Sequence, residues 1–501
     1  MRRLSLPLVL LPCPTAIAIA QGADGTRRDP AAPVPATVVR DLQYHDGFAR
    51  SPRRNELDLY LPRDVQSPPL VMFVHGGAWT GGSKDFGAPL AHALAQHGIA
   101  CACINTQQFP FGKPAAMVMD CGHALAWLHR NAKQYGYDGD RLFMLGHSSG
   151  GHLVSWLALD GERLASAGVP RSSLRGAVAL SGVYEVRTRH VVLEKVFGND
   201  LSVRRDGSPL THASAGDPPM LLLWGERDLA GLSLCGRMLR DRLRDSDVSV
   251  VAEELAGRDH IDYVLGLGNP RDAVLSRIVA FVQAPPGAPP AAIERRRPAA
   301  PVSLRLAGAD VVVQRPEGPV ALATVVWVVT DPAEQALATA VGNALVPFGA
   351  AFVRVAGAAD AGRVAALWRQ LRMQAAILGV PAPTCLGGTA RGGALVLAAD
   401  LARRDGLHGR VVLGGALGQA PDLLAKLAIS KEQRPSLLLA QGDGDPKAQR
   451  DITAAFATQL VIQQFDVHLI DSHRGSTARA IAGLGDTDDV LLPALRAFAL
   501  P

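Results

Sequence analysis

The 501-residue sequence predicts an α/β protein of two domains, each built on a mostly parallel β-sheet with helices on both faces. From Asp41 to about Val282, short runs rich in Val, Ile and Leu alternate with longer helical segments. This alternation is typical of strands buried in a parallel sheet. A similar alternation follows residue 303, and the total length exceeds what one hydrophobic core usually organises. Two domains are therefore expected.

In the first domain, from residue 40 to residue 283, predicted strands and helices follow one another regularly. Strands are predicted at LDLYLP, PLVMFVHGG, GIACACIN, RLFMLGHS, GAVALSGVY, PMLLLWGE and VSVVAEEL. Helices are predicted at 84–97, 115–134, 149–159, 229–245 and 271–282. This order indicates a doubly wound domain. The segment from Glu185 to Ala215 has no clear strand pattern, and we expect either a cap or a surface insertion there.

Residues 284–303 form the clearest boundary in the chain. In APPGAPPAAIERRRPAAPVS, proline, alanine and arginine replace any apolar period, and this composition favours an extended linker. Strand-like runs return at TVVWVVT, AAFVRVAG, GRVVLGGAL and SLLLAQG. A second domain is therefore expected from residue 304 to residue 501.

The first 20 residues have the features of a secretory signal peptide. Arg2 and Arg3 precede an apolar stretch that ends in Ala18-Ile19-Ala20, an A-x-A cleavage site. Three prolines interrupt this stretch and no second apolar span follows it. We therefore expect a signal peptide rather than a membrane anchor or a lipoprotein modified at Cys13. A disordered leader at residues 21–39 and a periplasmic or secreted protein without stable membrane insertion follow from this interpretation.

Charge and cysteine content argue against several kinds of partner. The net charge is +5, but no basic stripe with interleaved aromatic residues is present, so we expect no nucleic-acid binding. Five cysteines remain beyond the signal peptide, an odd number that leaves at least one thiol free. Cys101 and Cys103 share one strand face and are expected to be buried thiols. No CxxC or HExxH spacing indicates a metal.

A candidate nucleophile lies in GHSSG, residues 146–150, between the apolar run RLFML and a predicted helix. In a G-x-S-x-G turn between strand and helix, the glycines permit a strained backbone that exposes the serine Oγ. The helix N-terminus also points N–H groups at negative charge that develops nearby. We therefore predict that Ser148 is a nucleophile, although an ordinary helix N-cap is the structural alternative.

A second motif, His75-Gly76-Gly77-Ala78-Trp79, directly follows the apolar run PLVMFV. Adjacent glycines let backbone N–H groups approach an oxyanion without interference from a Cβ atom. Gly76, Gly77 and the N–H of Ser149 are therefore the predicted oxyanion hole. His75 is expected to order the loop by hydrogen bonding. The predicted substrate pocket consists of Trp79, His147 and Tyr184.

A carboxylate and a histidine complete the candidate site. Asp228 follows the strand-like PMLLLWGE, where it can orient an imidazole, and Glu226 is the competing carboxylate. His260 follows the last predicted strand of the domain, in AGRDHIDY, and is the predicted general base. Asp259 and Asp262, which flank it, are expected to be solvated loop charges.

Residues from about 40 to 283 resemble the α/β-hydrolase esterases of the HGG-x-W group, which includes carboxylesterases, feruloyl-esterase-like and kynurenine-formamidase-like proteins. The chain order Ser148, Asp228, His260 is that of the α/β-hydrolases. Further matching residues are Asn131-Ala132, Tyr135-Gly136, Asp138, Gly151-His152-Leu153 and Ser181-Gly182-Val183-Tyr184. Ser149 departs from the alanine that is frequent in these esterases. The resemblance implies acyl transfer to water through a serine acyl-enzyme, with no metal or organic cofactor.

The second domain resembles a degraded copy of the first. GTARGG at 388–393 aligns with GHSSGG at 146–151, which puts Ala390 at the nucleophile position. RPSLLLAQGDGD resembles PPMLLLWGERD and puts Asp445 opposite Asp228. An ungapped alignment places Thr477 opposite His260, whereas His473 fits only with a gap of four. TVVWVVTDPAE lacks the double glycine of the oxyanion loop. We predict an inactive α/β-hydrolase-like domain; an active hydrolase that uses Thr389 is the alternative.

These patterns lead to one functional expectation with two alternatives. We expect a serine carboxylesterase that hydrolyses small or medium acyl esters, so that its partner is a small-molecule ester. The alternatives are an arylformamidase-type amide hydrolase and a non-catalytic binding or assembly protein. The sequence leaves a homodimer open.

Overall fold

The computed structural model describes most of the first domain and the sheet of the second. The described residues are 36–46, 53–188, 190–229, 231–283, 297–306, 308–317, 323–330, 332–348, 350–357, 361–375, 378, 383–389, 410–414, 437–442, 467–472 and 491–499. The predicted signal peptide, most of the predicted leader and residues 284–296 of the predicted linker lie outside the described residues.

The first domain is built on an eight-stranded sheet with the order β1-β2-β4-β3-β5-β6-β7-β8. β1 and β2 are antiparallel, as are β2 and β4, and every other pair is parallel. The strands are β1 Ala36–Gln43, β2 Glu56–Pro62, β3 Leu70–Val74, β4 Ala100–Ile104, β5 Leu142–His147, β6 Leu174–Leu180, β7 Met220–Arg227 and β8 Val250–Asp259.

Helices cover both faces of this sheet. They are α1 Ala88–Gln96, α2 Pro114–Tyr135, α3 Ser149–Leu159, α4 Gly161–Ser166, α5 Val191–Phe197, α6 Leu201–Asp206, α7 Leu232–Asp245, α8 Asp262–Gly266 and α9 Ala273–Gln283. Short 3-10 turns lie at Lys84–Gly87, Arg171–Ser173 and Pro209–Thr211. The first of these turns occupies the positions at which the helix predicted at 84–97 was expected to begin, so α1 begins only at Ala88.

The central strands β3, β4 and β5 are buried along their whole length. Strands in the middle of a parallel sheet lie under helices on both sides, and this burial explains their continuous apolar sequences. Two apolar clusters lie one on each face of the sheet, and one of them continues into residues of the second domain. Because β3 to β8 run parallel, their carboxyl ends lie at the same edge of the sheet. The candidate site residues lie at this edge, directly after β3, β5, β6, β7 and β8.

β1 begins at Ala36, so residues 36–39 of the predicted leader form a strand. Only the first residue of its sequence ATVVRDLQ is buried, and the others are half-buried or exposed. The strand pairs with β2, whose residues are almost all buried. An edge strand that contains both polar and apolar residues lacks the continuous apolar run by which the inner strands were predicted. The antiparallel partner in the tertiary structure stabilises it.

The second sheet repeats the topology of the first. Its order is β9-β10-β12-β11-β13-β14-β15-β16, with antiparallel pairs at β9/β10 and β10/β12 and parallel pairs elsewhere. The strands are β9 Val302–Leu306, β10 Ala309–Gln314, β11 Ala323–Val329, β12 Ala350–Ala356, β13 Pro383–Thr389, β14 Arg410–Gly414, β15 Leu437–Gly442 and β16 Val467–Ser472. β9 begins two residues before the expected start of the domain.

Among the described helices of the second domain, the last one joins the two domains. These helices are α10 Pro332–Leu345, α11 Ala361–Gln374 and α12 Leu491–Ala499, with a 3-10 turn at Val346–Phe348. α12 packs against α7 of the first domain. Arg237 Nε donates to the carbonyl of Ala497 at 3.0 Å, and buried Arg496 pairs with Asp245. The contact is therefore polar as well as apolar.

Cys101, Cys103, Cys121 and Cys235 are free thiols, and Cys385 forms no disulfide with another described cysteine. None of the helices in the described part of the chain combines the length and apolarity that a bilayer span requires.

Candidate active site

Ser148 lies in a strained turn between β5 and α3. Its φ of 54° and ψ of −120° are unfavourable for a residue with a Cβ atom. The turn is held by a hydrogen bond from Ser148 N to Leu180 O at 2.8 Å. A Cβ on Gly150 would lie 2.1 Å from the carbonyl oxygen of Val74, so only glycine lets α3 approach β3 this closely. The predicted turn geometry is therefore present.

The structure brings Ser148, His260 and Asp228 together, although they lie on three different loops. His260 Nε2 is 3.1 Å from Ser148 Oγ, and His260 Nδ1 is 2.7 Å from Asp228 Oδ1. With the proton on Nδ1, the imidazole donates to the carboxylate and accepts from the hydroxyl. The side chain of Asp228 is only 2% exposed. This arrangement can deprotonate the hydroxyl and hold the resulting imidazolium.

Asp228 receives more hydrogen bonds than the one from His260. The Ser181 hydroxyl donates to its second oxygen, and the N–H groups of Gly225 and Leu229 donate at 3.1 and 2.8 Å. Burial opposes ionisation, but the bonds from His260 and Ser181 outweigh it, so the pKa of Asp228 lies below its usual value. From the sequence, Ser181 is recognised only as part of the Ser181-Gly182-Val183-Tyr184 segment that resembles the HGG-x-W esterases. Its position directly after β6, at the same sheet edge, was the available signal.

His147 lies against His260 rather than in an open pocket. Its Nε2–H donates to the backbone carbonyl of His260 at 3.0 Å, and the two ring centroids are 4.7 Å apart. Burial, followed by the neighbouring His260, lowers the pKa of His147 to about 3. The neutral ring therefore holds the backbone of His260 in place, a role that the sequence did not suggest.

The loop after β3 places Gly76 and Gly77 beside the candidate nucleophile. A Cβ on Gly76 would lie 3.2 Å from the Cβ of Ser148, and one on Gly77 would lie 2.3 Å from Gly81 O. Gly77 also has a φ of 133°. Ser149 is the first residue of α3, where backbone N–H groups have no partner within the helix. The three predicted donors therefore belong to segments that adjoin Ser148.

His75 stabilises this loop from within. Its Nδ1–H donates to Gly76 O at 2.8 Å, and burial lowers the pKa of its imidazole to about 4. The ring is therefore neutral near pH 7. This hydrogen bond is of the kind that the sequence predicted for His75.

Two residues predicted to line the substrate pocket make buried contacts. Trp79 is 5% exposed, and its Nε1–H donates to His152 Nδ1 at 3.2 Å. Tyr184 is 2% exposed, and its hydroxyl accepts from Gly182 N at 3.2 Å. Both side chains thus support neighbouring segments in this structure.

The competing carboxylates are engaged elsewhere. Glu226 accepts a hydrogen bond from Gly257 N at 2.6 Å. Asp259 accepts from the N–H groups of Ile261 and Asp262 at 2.9 and 2.8 Å. These N–H groups lower the pKa of Asp259. Asp259 therefore caps the turn after His260 and is more than a solvated charge.

The corresponding edge of the second sheet has a different loop after its third strand. β11 ends at Val329 and α10 begins at Pro332, and the Thr330 hydroxyl donates to the buried Glu334 carboxylate at 2.9 Å. β13 ends at Thr389, so Ala390 follows the fifth strand as Ser148 follows β5. β16 ends at Ser472, so His473 rather than Thr477 follows the eighth strand.

Ala390, Asp445, His473 and Thr477 themselves lie outside the described residues, as does the side chain of Thr389. The topological position of His473 differs from the ungapped sequence alignment because β16 has 6 residues whereas β8 has 10.

One group of described side chains has the composition of a metal site. Atoms of Asp160, Asp206 and His212 lie within 4.8 Å of one another. Arg163 donates to both carboxylates, at 3.0 Å in each case, and thereby supplies their counter-charge. Arg163 therefore balances one of the two negative charges, which weakens the attraction of the group for a cation.

Fold and site geometry give the first domain the architecture of an α/β-hydrolase. Residues 57–230 match the family described as BD-FAE. The chain is 37% identical over 154 residues to a probable isoprenylcysteine alpha-carbonyl methylesterase, ICME, of Oryza sativa subsp. japonica, covering 30% of this chain and 36% of that protein. It is 30% identical over 266 residues to the probable carboxylic ester hydrolase LipM of Mycobacterium tuberculosis, covering 48% and 62%.

Among solved structures, esterase B from Lactobacillus rhamnosis matches with 20% identity and a TM-score of 0.44, covering 50% of this chain and 87% of that chain. The chain thus spans less than two thirds of the length of the two curated relatives named above.

Proposed function

We propose that the protein is a serine carboxylesterase that hydrolyses small or medium acyl esters. The observation that carries the proposal is the hydrogen-bonded series from Ser148 Oγ through His260 to Asp228, with distances of 3.1 and 2.7 Å. The relatives named as a methylesterase and a carboxylic ester hydrolase support the same reaction class.

In the proposed reaction, His260 Nε2 takes the proton of Ser148 as Oγ attacks the ester carbonyl. The tetrahedral intermediate collapses when the imidazolium gives that proton to the leaving alkoxide, and an acyl-enzyme remains. Water then attacks the acyl carbonyl, with His260 again as the base. The released acid carries the oxygen of the water, and Ser148 recovers its proton.

Asp228 keeps the proton of His260 on Nδ1, so that Nε2 faces the nucleophile. Because its pKa is lowered by the bonds from His260 and Ser181 despite burial, it remains a carboxylate and stabilises the imidazolium. His147 contributes by holding the His260 carbonyl.

The backbone N–H groups of Gly76, Gly77 and Ser149 are the proposed oxyanion hole. Donors that are fixed before reaction stabilise the developing charge without further reorganisation, and each is worth about 3–4 kcal/mol in comparable hydrolases. The close approach of Gly76 to Ser148 supports this assignment.

We further propose that the second domain is an inactive hydrolase copy. Its matching strand order supports common architecture, and Ala390 in place of a nucleophile supports loss of catalysis. Export through the N-terminal segment is also proposed, on its sequence alone. N-terminal sequencing of the mature protein should then give a start at Gln21.

The proposal is tested with p-nitrophenyl esters of increasing acyl length, a feruloyl ester and N-formylkynurenine, each assayed with wild type and Ser148→Ala. We expect hydrolysis of the short esters by wild type and a loss of at least about four orders of magnitude in kcat for the variant. Ester hydrolysis that persists in S148A would overturn the mechanism. Turnover of N-formylkynurenine alone would favour amide hydrolysis.

A further inference from the structure

His152 lies at a buried junction of three parts of the first domain. It is in the first turn of α3 and is fully buried. Its ring makes edge-to-face contacts with Trp79 at 5.2 Å and with Phe197 at 5.5 Å between centroids. Trp79 belongs to the loop after β3. Phe197 ends α5, within residues 185–215, which we call the cap segment.

Both ring nitrogens of His152 are engaged, each with a different segment. Trp79 Nε1–H donates to Nδ1 at 3.2 Å, and Nε2–H donates to the carbonyl of Gly207 in the cap segment at 2.8 Å. This pair of bonds requires the neutral tautomer with its proton on Nε2. Burial lowers the pKa of His152 to about 4, so the ring is in that neutral form near pH 7.

The loop that Trp79 belongs to needs support from outside. Ala78 and Trp79 have φ values of 50° and 60°, a left-handed conformation that is unfavourable for residues with a Cβ atom. The Trp79 backbone is held by Phe109 N, which donates to its carbonyl at 2.8 Å. His152 provides the corresponding anchor for its side chain. Gly76 and Gly77, the proposed oxyanion donors, lie immediately before these strained residues.

The cap segment is itself firmly connected at the point that His152 reaches. Ser208, next to Gly207, donates to the buried Glu185 carboxylate at 3.0 Å and accepts from Val186 N at 3.0 Å. Glu185 in turn pairs with Arg187 at 2.6 Å. The carbonyl of Gly207 is therefore held in place as a hydrogen-bond acceptor. The imidazole of His152 binds this carbonyl on one side and the Trp79 indole on the other, so it links the positions of the two residues.

We propose that His152 is a positioning residue that couples the cap segment to the oxyanion loop. The inference rests on the proposed esterase function. His152 does not contact the reacting atoms; it acts through Trp79 on the placement of the Gly76 and Gly77 N–H groups. Because these donors stabilise the transition state more than the bound ester, the coupling affects kcat more than KM.

The test compares two substitutions. His152→Phe keeps an aromatic ring but removes both hydrogen bonds, whereas the amide of His152→Gln offers an acceptor and a donor separated by one carbon, as in imidazole. With p-nitrophenyl acetate we expect kcat of H152F to fall about 10- to 100-fold, with KM within about twofold of wild type. H152Q should recover most of the lost kcat.

His212→Phe is the matched control. His212 Nε2–H donates to the carbonyl of Asp206, the residue before Gly207, at 2.6 Å. The ring of His212 neighbours Trp156, which neighbours His152, but the described contacts of His212 do not include Trp79. Its loss should therefore lower kcat much less than H152F does. The proposal is overturned if H152F retains wild-type kcat, if H152Q is as slow as H152F, or if H212F is equally slow.

A second measurement separates this proposal from the proposed function. Selective ¹⁵N-histidine NMR of wild type and S148A reports the His152 tautomer without any turnover. Protonation on Nε2 in both proteins supports the bridge, and protonation on Nδ1 overturns it. If wild type hydrolyses none of the esters, the esterase function fails while this spectrum still decides the role of His152 as a bridge.

Discussion

The two domains differ most clearly in the loop after their third strand. In the first domain, residues 75–83 separate β3 from the next turn and include four residues with positive φ, namely Gly77, Ala78, Trp79 and Gly82. In the second, β11 passes almost directly into α10, and Glu334 closes the connection onto Thr330. The same strand order thus supports either a loop that presents backbone donors or a compact helix cap.

The sheet alone does not provide the chemistry. The apolar strand sequences preserve the architecture, whereas the loops at the carboxyl ends of the strands determine whether a site can exist. In the first domain, His152 joins the loop after β3 to the cap segment through hydrogen bonds with Trp79 and Gly207. The second domain contacts the first through α12 instead.

The largest expected difference in activity comes from a test that adds a nucleophile to the second domain. Ala390→Ser in the S148A background returns a hydroxyl to the second domain, but the loop after β11 lacks the paired glycines. We therefore expect hydrolysis of p-nitrophenyl acetate to remain at the S148A level, at least about 10⁴-fold below wild type. S148A alone is the control. Recovery to within tenfold of wild type would show that the second domain needs only a nucleophile.

A smaller but still large effect is expected from Gly77→Ala. The added Cβ would lie 2.3 Å from Gly81 O, and the φ of 133° excludes an unstrained alanine. Displacement of the loop should lower kcat about 10²- to 10³-fold.

Gly168→Ala is the control for Gly77→Ala, because Gly168 also has positive φ but faces open space. We expect a stability cost of about 1 kcal/mol and an unchanged kcat. If G77A and G168A lost equal activity, the cause would be general destabilisation, and the loop after β3 would have no specific role in catalysis.

The contact between the domains should contribute to stability rather than to catalysis. Arg496 is buried, pairs with Asp245, lies 3.8 Å from Asp241 and stacks on Phe348 at 3.9 Å. Arg496→Met leaves Asp245 without its partner, whereas Asp241 keeps Arg240 at 2.8 Å, and the substitution should lower the free energy of unfolding by about 3 kcal/mol. Calorimetry and kcat, measured together, check this.

The exposed pair Arg305–Asp310, 3.9 Å apart, provides the matched control. Arg305→Met should change stability by less than about 0.5 kcal/mol. If R496M and R305M behaved alike, α12 would not be the structural connection that the contact with α7 indicates.

The smallest expected effect concerns Asp120, which lies in α2, the helix after the fourth strand of the first sheet. The corresponding helix of the second domain, α11, contains no acidic residue. Burial raises the pKa of Asp120 to about 7, although Gln107 donates two hydrogen bonds to it. Between about pH 4 and pH 7 the unfolded chain loses this proton while the folded protein keeps it. The free energy of unfolding should therefore fall across that range and level off above pH 7.

Asp120→Asn removes the cost of ionising this buried carboxyl. The variant should therefore be about 1–2 kcal/mol more stable than wild type at pH 8 and nearly equal to it in stability at pH 4. The amide accepts weaker hydrogen bonds from Gln107, which limits the gain. Asp200→Asn is the control, because the pKa of Asp200 is lowered by bonds from Ser202 and Val203. Its effect should be constant from pH 5 to pH 8. Thermal unfolding at several pH values distinguishes the two.

Much of the first domain was predictable because its inner strands are locally distinctive. β3, β4 and β5 are continuous apolar runs since both of their faces are buried. The strands β1, β9, β10, β13 and β16 were not predicted from the sequence. The burial of β1, β9 and β10 alternates or is largely partial, so their sequences look like ordinary polar segments until the pairing partner is known.

By itself, the sequence determined the fold class, the nucleophile turn and the chain order of Ser148, Asp228 and His260, because each depends on a short local pattern. Only the tertiary structure joined Ser181 to Asp228 across 47 residues and His147 to His260 across 113. It also placed His152 between Trp79 and Gly207. Such contacts depend on how strands, helices and loops meet in space, and no local period or spacing records that arrangement.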